Sequence, residues 1–359
     1  MSPKEDRLKQ LAVLLNENAR KVGKRVKKKF ADTYPKVNLY TSKTLEEARA
    51  KVREIVHGGH EKIICGGGDG TLVAFLSHLK EEIDEYKRSH GEDKNPPEIG
   101  ILSLGTGNGW AYSIGASNWK KTLEKIHSEN YTLTPFSLIE SEGFLFHFAG
   151  FGWDAAVLNN YIEERVKHEG TKWEKWFKSI FGYLYAVFVK TVPREILRYR
   201  PIWCKIVNHG DEVYLGSLKR GIVPISVKPG QTLYEGPVNA VLLGTTEFYG
   251  FSLKVLPYAR SKSGFLHLRI GHVKPMSVIL RTSSIWKGRV EMDGIYDYLA
   301  KDIEFHFKKP MPFQIGGDAM GYRTHLRAKV SDLIVNIMDF SEPPPEDAIK
   351  QLPLVNNLM

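Results

Sequence analysis

The chain has 359 residues, 42% of them hydrophobic and 11% aromatic, which predicts two folded domains and excludes a disordered or fibrous polypeptide. Its longest apolar runs, such as Ile180 to Val189, fall short of the roughly 20 residues that a membrane-crossing helix needs, and the opening residues hold no apolar signal core, so a cytoplasmic protein is expected. The balance of 51 Lys and Arg against 41 Asp and Glu leaves +10, a sign that favours phosphate groups or anionic lipid surfaces; no nucleic-acid-binding pattern accompanies the charge.

In chain order, Leu11–Leu15 reads as a buried strand and Asn16–Asn18 as a loop. A basic helix follows to about Ala31, whose cluster from Lys21 to Lys29 reads either as a solvated face or as an attraction to anionic membrane. Val37–Tyr40 fits a short strand, and Thr44, with Glu47 three residues on, fits the cap of a helix that runs to about His57. Lys62–Cys65 is the next strand, Leu72–Tyr86 is helical by periodicity, and Ile99–Leu102 is a further strand. Strands alternating with helices imply a parallel sheet.

From about Ser137 the pattern changes to short β-like runs, Phe144–Phe148, Val238–Leu243 and Phe265–Ile270, which predict an antiparallel, sheet-rich half. A helical insert near 159–197 interrupts it. There Trp173, Trp176, Phe177, Ile180, Phe181, Leu184 and Phe188 recur at helical spacing; ordinary core is the leading reading, and a face for lipid access, flanked by Lys172, Lys175 and Lys178, is the other. Ser341–Pro345 ends compact structure. The expected domains are therefore 1–136, 137–340 and a tail, 341–359. The two cysteines, Cys65 and Cys204, give neither a disulfide framework nor a metal-ligand spacing. The twelve histidines show no metal-ligand cluster along the sequence; His147, inside an apolar run, reads as a satisfied structural residue. Glu291 and Asp293 read as loop or strand-end residues.

Two glycine-rich turns carry the chemistry. Gly66-Gly67-Gly68-Asp69-Gly70-Thr71 joins a strand to a helix, and lacking Cβ atoms such a turn can present backbone N–H groups to a phosphate. Asp69 is ill placed beside an anion unless a divalent cation, or a hydroxyl to be deprotonated, lies between them. Leu104-Gly105-Thr106-Gly107-Asn108-Gly109 again follows a strand and precedes a helix. Two such turns at neighbouring strand ends predict one crevice at the carboxyl edge of the sheet.

At these residues the sequence resembles the diacylglycerol kinase catalytic-domain family, which includes bacterial lipid kinases and sphingosine kinases. Gly67–Thr71 matches the family's Gly-Gly-Asp-Gly-Thr and Gly105–Asn108 its Gly-Thr-Gly-Asn. Asn16–Ala19 stands at the Asn-Pro-x-x-Gly-like turn, Thr41 follows the second strand, and Gly150–Ala155 resembles the Gly-x-Gly-x-Asp-Ala segment. Leu256–Ala259 with Gly264–Leu266 resembles a later Pro-x-Ala and Asp-Gly-x-Leu segment. The resemblance covers roughly Leu11 to Val335. It implies an α/β nucleotide-binding domain with a parallel sheet, a C-terminal mainly antiparallel β-sandwich, and a nucleotide site in the cleft between them.

It also implies ATP and Mg²⁺ as cofactors and, as acceptor, a hydroxyl of a diacylglycerol- or sphingoid-type lipid. By the same resemblance Asn16, Thr41, Gly67, Gly68, Asp69, Gly70, Thr71, Gly105, Thr106, Gly107 and Asn108 are expected at the nucleotide, with Asp69 and Asp318 as catalytic residues. Peripheral contact with an anionic membrane and a homo-oligomer are compatible with it.

Four family carboxylates are replaced. Gly316 stands at the aspartate of the usual Asp-Gly-Glu, with Asp318 two positions on; Ala74, Gly109 and Ser263 occupy the others. Either Asp318 or Asp69 takes over as base, or the chain is a nucleotide-binding pseudokinase or membrane adaptor. The NAD kinases, which share Gly-Gly-Asp-Gly, are a weaker alternative.

Overall fold

A computed structural model of the chain describes residues 11–34, 37–191, 193, 200–249, 253–289 and 292–341. The expected tail beyond Ser341, the opening ten residues, Glu291 and part of the helical insert lie outside them.

The N-terminal half is built from β1 (Leu11–Asn16), α1 (Lys24–Thr33), β2 (Asn38–Ser42), α2 (Leu45–His57), β3 (Lys62–Gly67), α3 (Asp69–His90), β4 (Glu98–Ser103), α4 (Gly109–Ser113) and α5 (Trp119–His127). Its four strands pair in parallel in the order β2-β1-β3-β4. Strands β1, β3 and β4 are buried almost throughout, which is why they read as continuous apolar runs rather than as alternation. Thr44 caps α2 by accepting from Glu47 N at 3.1 Å, and Glu47 Oε2 answers by accepting from Lys43 N. The basic helix α1 is amphipathic: Val26 and Phe30 are buried, while Lys24, Arg25 and Lys28 face solvent.

The C-terminal half follows with β5 (Thr132–Ser141), β6 (Phe144–Phe146), β7 (Phe148–Gly152), helices α6 (Trp153–Lys167), α7 (Glu174–Phe177) and α8 (Ile180–Tyr185), and a π-helical turn at Ala186–Thr191. Then come β8 (Ile202–Asn208), β9 (Val213–Ser217), β10 (Gly221–Ile225), β11 (Thr232–Val238), β12 (Ala240–Gly244), β13 (Leu266–Gly271), α9 (Pro275–Leu280), α10 (Thr282–Trp286), β14 (Ile295–Ala300), β15 (Asp302–Ile315) and β16 (Asp318–Asp339). Their mutual pairings are antiparallel.

Two of the predicted β-like runs are each two strands. Val238–Leu243 breaks at buried Asn239, whose Oδ1 accepts from Val273 N at 2.9 Å; β11 then pairs with β8, whereas β12 pairs with β13 and β7. The chain changes strand partners at that residue, whose side chain and backbone both supply hydrogen bonds there. Phe144–Phe148 likewise breaks, at His147, where β6, paired with β5, gives way to β7, paired with β12 and β15.

Strand β16 ties the halves together. Its first part pairs with β15 inside the sandwich, and its end pairs with β5 and, at Ile337, in parallel with Ile99 of β4. Val335, Ile337, Met338 and Phe340 accordingly pack into the N-terminal core with Leu102 and Trp110. A second core, around Phe151, Phe305, Phe307 and Phe313, fills the sandwich.

Ordinary core does not describe the aromatic insert. Phe177 is buried and stacks on His168 at 4.0 Å, but Trp173 and Phe181 are 52% and 58% exposed, and Trp176 and Phe188 are exposed too. The helices α7 and α8 are too short to turn all these rings to one side, so the periodic spacing ends as an apolar surface. Among the described residues no helix is long and apolar enough to cross a membrane.

Candidate active site

Strands β3 and β4 end side by side, and the two glycine-rich turns leave them at the same edge. They touch backbone to backbone. Leu104 N and Gly105 N both donate to Gly67 O, at 3.0 and 2.8 Å, and a Cβ on Gly105 would stand 2.8 Å from Gly68 N, so no side chain fits between the turns. Asn108 closes the second turn on itself: its Oδ1 accepts from Gly105 N at 3.1 Å and its Nδ2 donates to Gly105 O at 2.9 Å. It does so from the left-handed region, φ 56°, where asparagine is among the better-tolerated residues.

Asp69 clasps the two turns. It is 8% exposed, and its carboxylate accepts from Gly109 N at 2.9 Å and from Trp110 N at 3.2 Å, the first amides of α4. A carboxylate there satisfies two donors that a helix start leaves open. Thr71 faces the other way, and Asn16 Nδ2 donates to its Oγ1 at 2.9 Å. The amides of Asp69, Gly70 and Thr71 open α3 and have no intrahelical acceptor.

The turns form one wall of a cleft of 840 Å³ between the two halves. Of the expected nucleotide residues, Asn16, Gly68, Asp69, Gly70, Thr71, Gly105, Thr106 and Gly107 line it. Thr41, Gly67 and Asn108 lie behind the wall. Thr41 hydrogen-bonds Glu17, the Thr71 side chain covers the side of Gly67 where a Cβ would stand, and Asn108 is spent on Gly105.

Asp318 comes in from the sandwich. Gly316 and Gly317, at φ 58° and 88°, are the two central residues of the hairpin joining β15 to β16, a turn that needs positive φ at both. It delivers Asp318 over Gly70 so closely that a Cβ on Gly70 would collide with Asp318 Oδ2. Burial, and then the charge of Asp69, push the Asp318 carboxyl above the usual aspartate range, with Arg165 pulling it back. The two expected catalytic carboxylates thus share one corner of the cleft, although their environments differ. Asp69 accepts from two backbone amides; no hydrogen bond to Asp318's carboxylate occurs among the described residues.

Sequence reasoning missed Arg165 and Tyr161. Both lie on α6 and line the cleft, one helical turn apart, with the Arg165 guanidinium 5.5 Å from the Tyr161 ring centre. The Arg165 Nε and the Tyr161 hydroxyl are buried without hydrogen-bond partners. Only the i, i+4 spacing in a helix facing the cleft could have signalled them. His147 was misread as satisfied: it is fully buried, neither ring nitrogen has a hydrogen-bond partner, and Nε2 lies 3.6 Å from Asp69 Oδ1. Trp110 and Phe148 hold the ring there, at centroid distances of 4.7 and 4.8 Å.

A second, almost wholly apolar pocket of 240 Å³ lies between the insert and the sandwich, walled by Trp153, Val187, Leu242, Val255, Ile285 and Trp286. Tyr183 lines both this pocket and the cleft. On the sandwich side Arg269 also lines it, held by Asp297 through hydrogen bonds of 2.7 and 2.9 Å. Burial pushes Asp297 up, but Arg269 and His267 outweigh that and hold it down at about 2.

Residues 10–135 match the family model of the diacylglycerol kinase catalytic domain. The whole chain has the two-part fold seen in solved structures of that kind. One is a diacylglycerol kinase from Bacillus anthracis, similar at TM-score 0.62 and 17% identity over 92% of this chain and 96% of that one. Another, a presumptive diacylglycerol kinase from the same organism, is similar at TM-score 0.62 and 18% identity over the same shares. No curated protein matches the sequence.

Proposed function

We propose that the protein is an ATP-dependent lipid kinase that phosphorylates a hydroxyl of a diacylglycerol- or sphingoid-type lipid. The observation that carries this reading is one juxtaposition: a polar cleft walled by two glycine turns and two aspartates meets an apolar pocket at Tyr183. The turns suit a chain of phosphates, because glycine leaves their backbone amides open to it and a Cβ at Gly68, Gly70 or Gly105 would crowd the neighbouring turn or Asp318. The apolar pocket suits an acyl or sphingoid chain, with its hydroxyl brought toward Asp318.

Phosphoryl transfer asks the protein mainly for position and charge. Asp318 takes the proton of the lipid hydroxyl, the lipid oxygen forms a bond to the γ-phosphorus, and the bond to the β-phosphate oxygen breaks to release ADP. The raised affinity of Asp318 for a proton makes it a better base than an ordinary aspartate. Asp69 keeps the two turns in contact through the amides of Gly109 and Trp110. Arg165, Lys43 and Lys175 line the cleft and offset the charge of the phosphates. Mg²⁺ fits this corner, since two carboxylates that repel one another there gain from a cation; Asp69, whose oxygens keep further lone pairs, would hold it together with the phosphates and leave Asp318 to take the proton, and the ion would neutralise charge on the transferred group.

Nucleotide binding without transfer is the second reading, and it is favoured by the use of Asp69 as a clasp and by glycine at position 316. Purified protein incubated with labelled ATP, Mg²⁺ and a panel of diacylglycerols and sphingoid bases separates the two. Transfer to a lipid, lost in Asp318→Asn, supports the kinase; ATP binding with no labelled lipid supports the second reading. The exposed rings of Trp173, Trp176 and Phe181, beside Lys172 and Lys175, suit a cytoplasmic protein that docks on an anionic membrane. In that reading Trp176→Glu lowers sedimentation with anionic vesicles, and unchanged sedimentation would remove the insert from membrane contact.

A further inference from the structure

The outer face of the sandwich gathers side chains that lie far apart in sequence. Along β15, Ile303, Phe305 and Phe307 point into the core, so Glu304 and His306 point out on the same face. His325 of β16 stands directly opposite His306, and the rings are 5.0 Å apart. His209, just beyond β8 on the other side of β15, reaches the same carboxylate. Glu304 Oε1 is 2.6 Å from His325 Nε2, and Oε2 is 2.8 Å from His209 Nε2 and 3.5 Å from His306 Nε2. Three of the twelve histidines, which show no metal spacing along the sequence, therefore do converge, because strand pairing brings positions 209, 306 and 325 together.

We propose that Glu304, His306 and His325 form a binding site for a divalent transition-metal ion, with His209 as the positioning residue that holds the second oxygen of Glu304. One ligand atom from each of the three lies within 4.8 Å of the other two. A tetrahedral ion with metal–nitrogen bonds of about 2.0–2.1 Å needs neighbouring ligand atoms about 3.3 Å apart. The present spacings bracket that value, and the exposed His306 and His325 rings reach it by small rotations about the half-buried Glu304. Two imidazoles and a carboxylate select ions of the zinc, nickel and copper type and disfavour Mg²⁺, which prefers an all-oxygen octahedron. The site is separate from the cleft: none of the four residues lines it. A bound ion would link β15 to β16 directly and, through His209, to the end of β8.

Zinc titration of the full chain by calorimetry, in excess Mg²⁺, tests the assignment. One equivalent of zinc should bind and raise the melting temperature. His306→Gln and His325→Gln should each remove that site, and His209→Ala should weaken it by about 10–100-fold, as loss of an orienting partner does. His90→Gln, on an exposed helix end, should leave it unchanged. Zinc affinity unaltered in the folded His306→Gln/His325→Gln double variant would overturn the proposal. So would a site abolished by Asp318→Asn instead, which would put the ion in the cleft.

Discussion

The two halves build their working surfaces from different materials. At the end of the parallel sheet the cleft wall is mainly backbone: Gly68 and Gly105 touch with no side chain between them, Gly67 supports them from behind, and the one side chain that clasps the turns, Asp69, does so through amides. In the sandwich the corresponding surfaces are side chains brought together by strand pairing, as at Asp318 over Gly70, Arg269 with Asp297, and the histidines around Glu304. A backbone surface is intolerant of any added atom. A side-chain surface tolerates change where it is exposed and fails where it is buried.

Transfer in Asp318→Asn should fall by about 10²–10⁴-fold, the usual cost of a positioned base, while ATP binding persists; equal transfer by the variant would move the base elsewhere. Next in size, Asp297→Asn should destabilise the sandwich by about 3–5 kcal/mol, measured by urea unfolding, because it leaves buried Arg269 without its counter-charge. The wild-type pair has a signed pH dependence. Asp297 is held at about 2 against an ordinary 3.8, so its contribution is complete above the ordinary value and disappears as pH falls from 3.8 toward 2. Asp318 has the opposite sign: its raised proton affinity should make transfer fall on acidification at a higher pH than an ordinary aspartate would. A profile flat through that range would contradict its role. The smallest effect belongs to Arg323→Ala, which breaks an exposed pair with Glu142 and should cost about 1 kcal/mol or less.

The same contrast explains what was legible in the sequence. The turns at 66–71 and 104–109 were visible because a backbone surface writes itself locally, as consecutive glycines between an apolar run and a helix. Thr44 with Glu47, three residues apart, was legible for the same reason. The sandwich was legible as strands and not as sites. Nothing near His306 announces His325, and nothing near Asp69 announces His147, since β-pairing and the return of β16 into the first core decide those contacts. The aromatic insert misled in another way: helical spacing tells which residues share a face and leaves open whether anything covers it.

Binding of ATP by Gly105→Val, compared with the wild type in calorimetry, tests the backbone grip most directly. The folded variant should lose ATP and inorganic triphosphate together, because a Cβ at Gly105 must part it from Gly68. A folded variant that binds ATP as tightly as the wild type would contradict it.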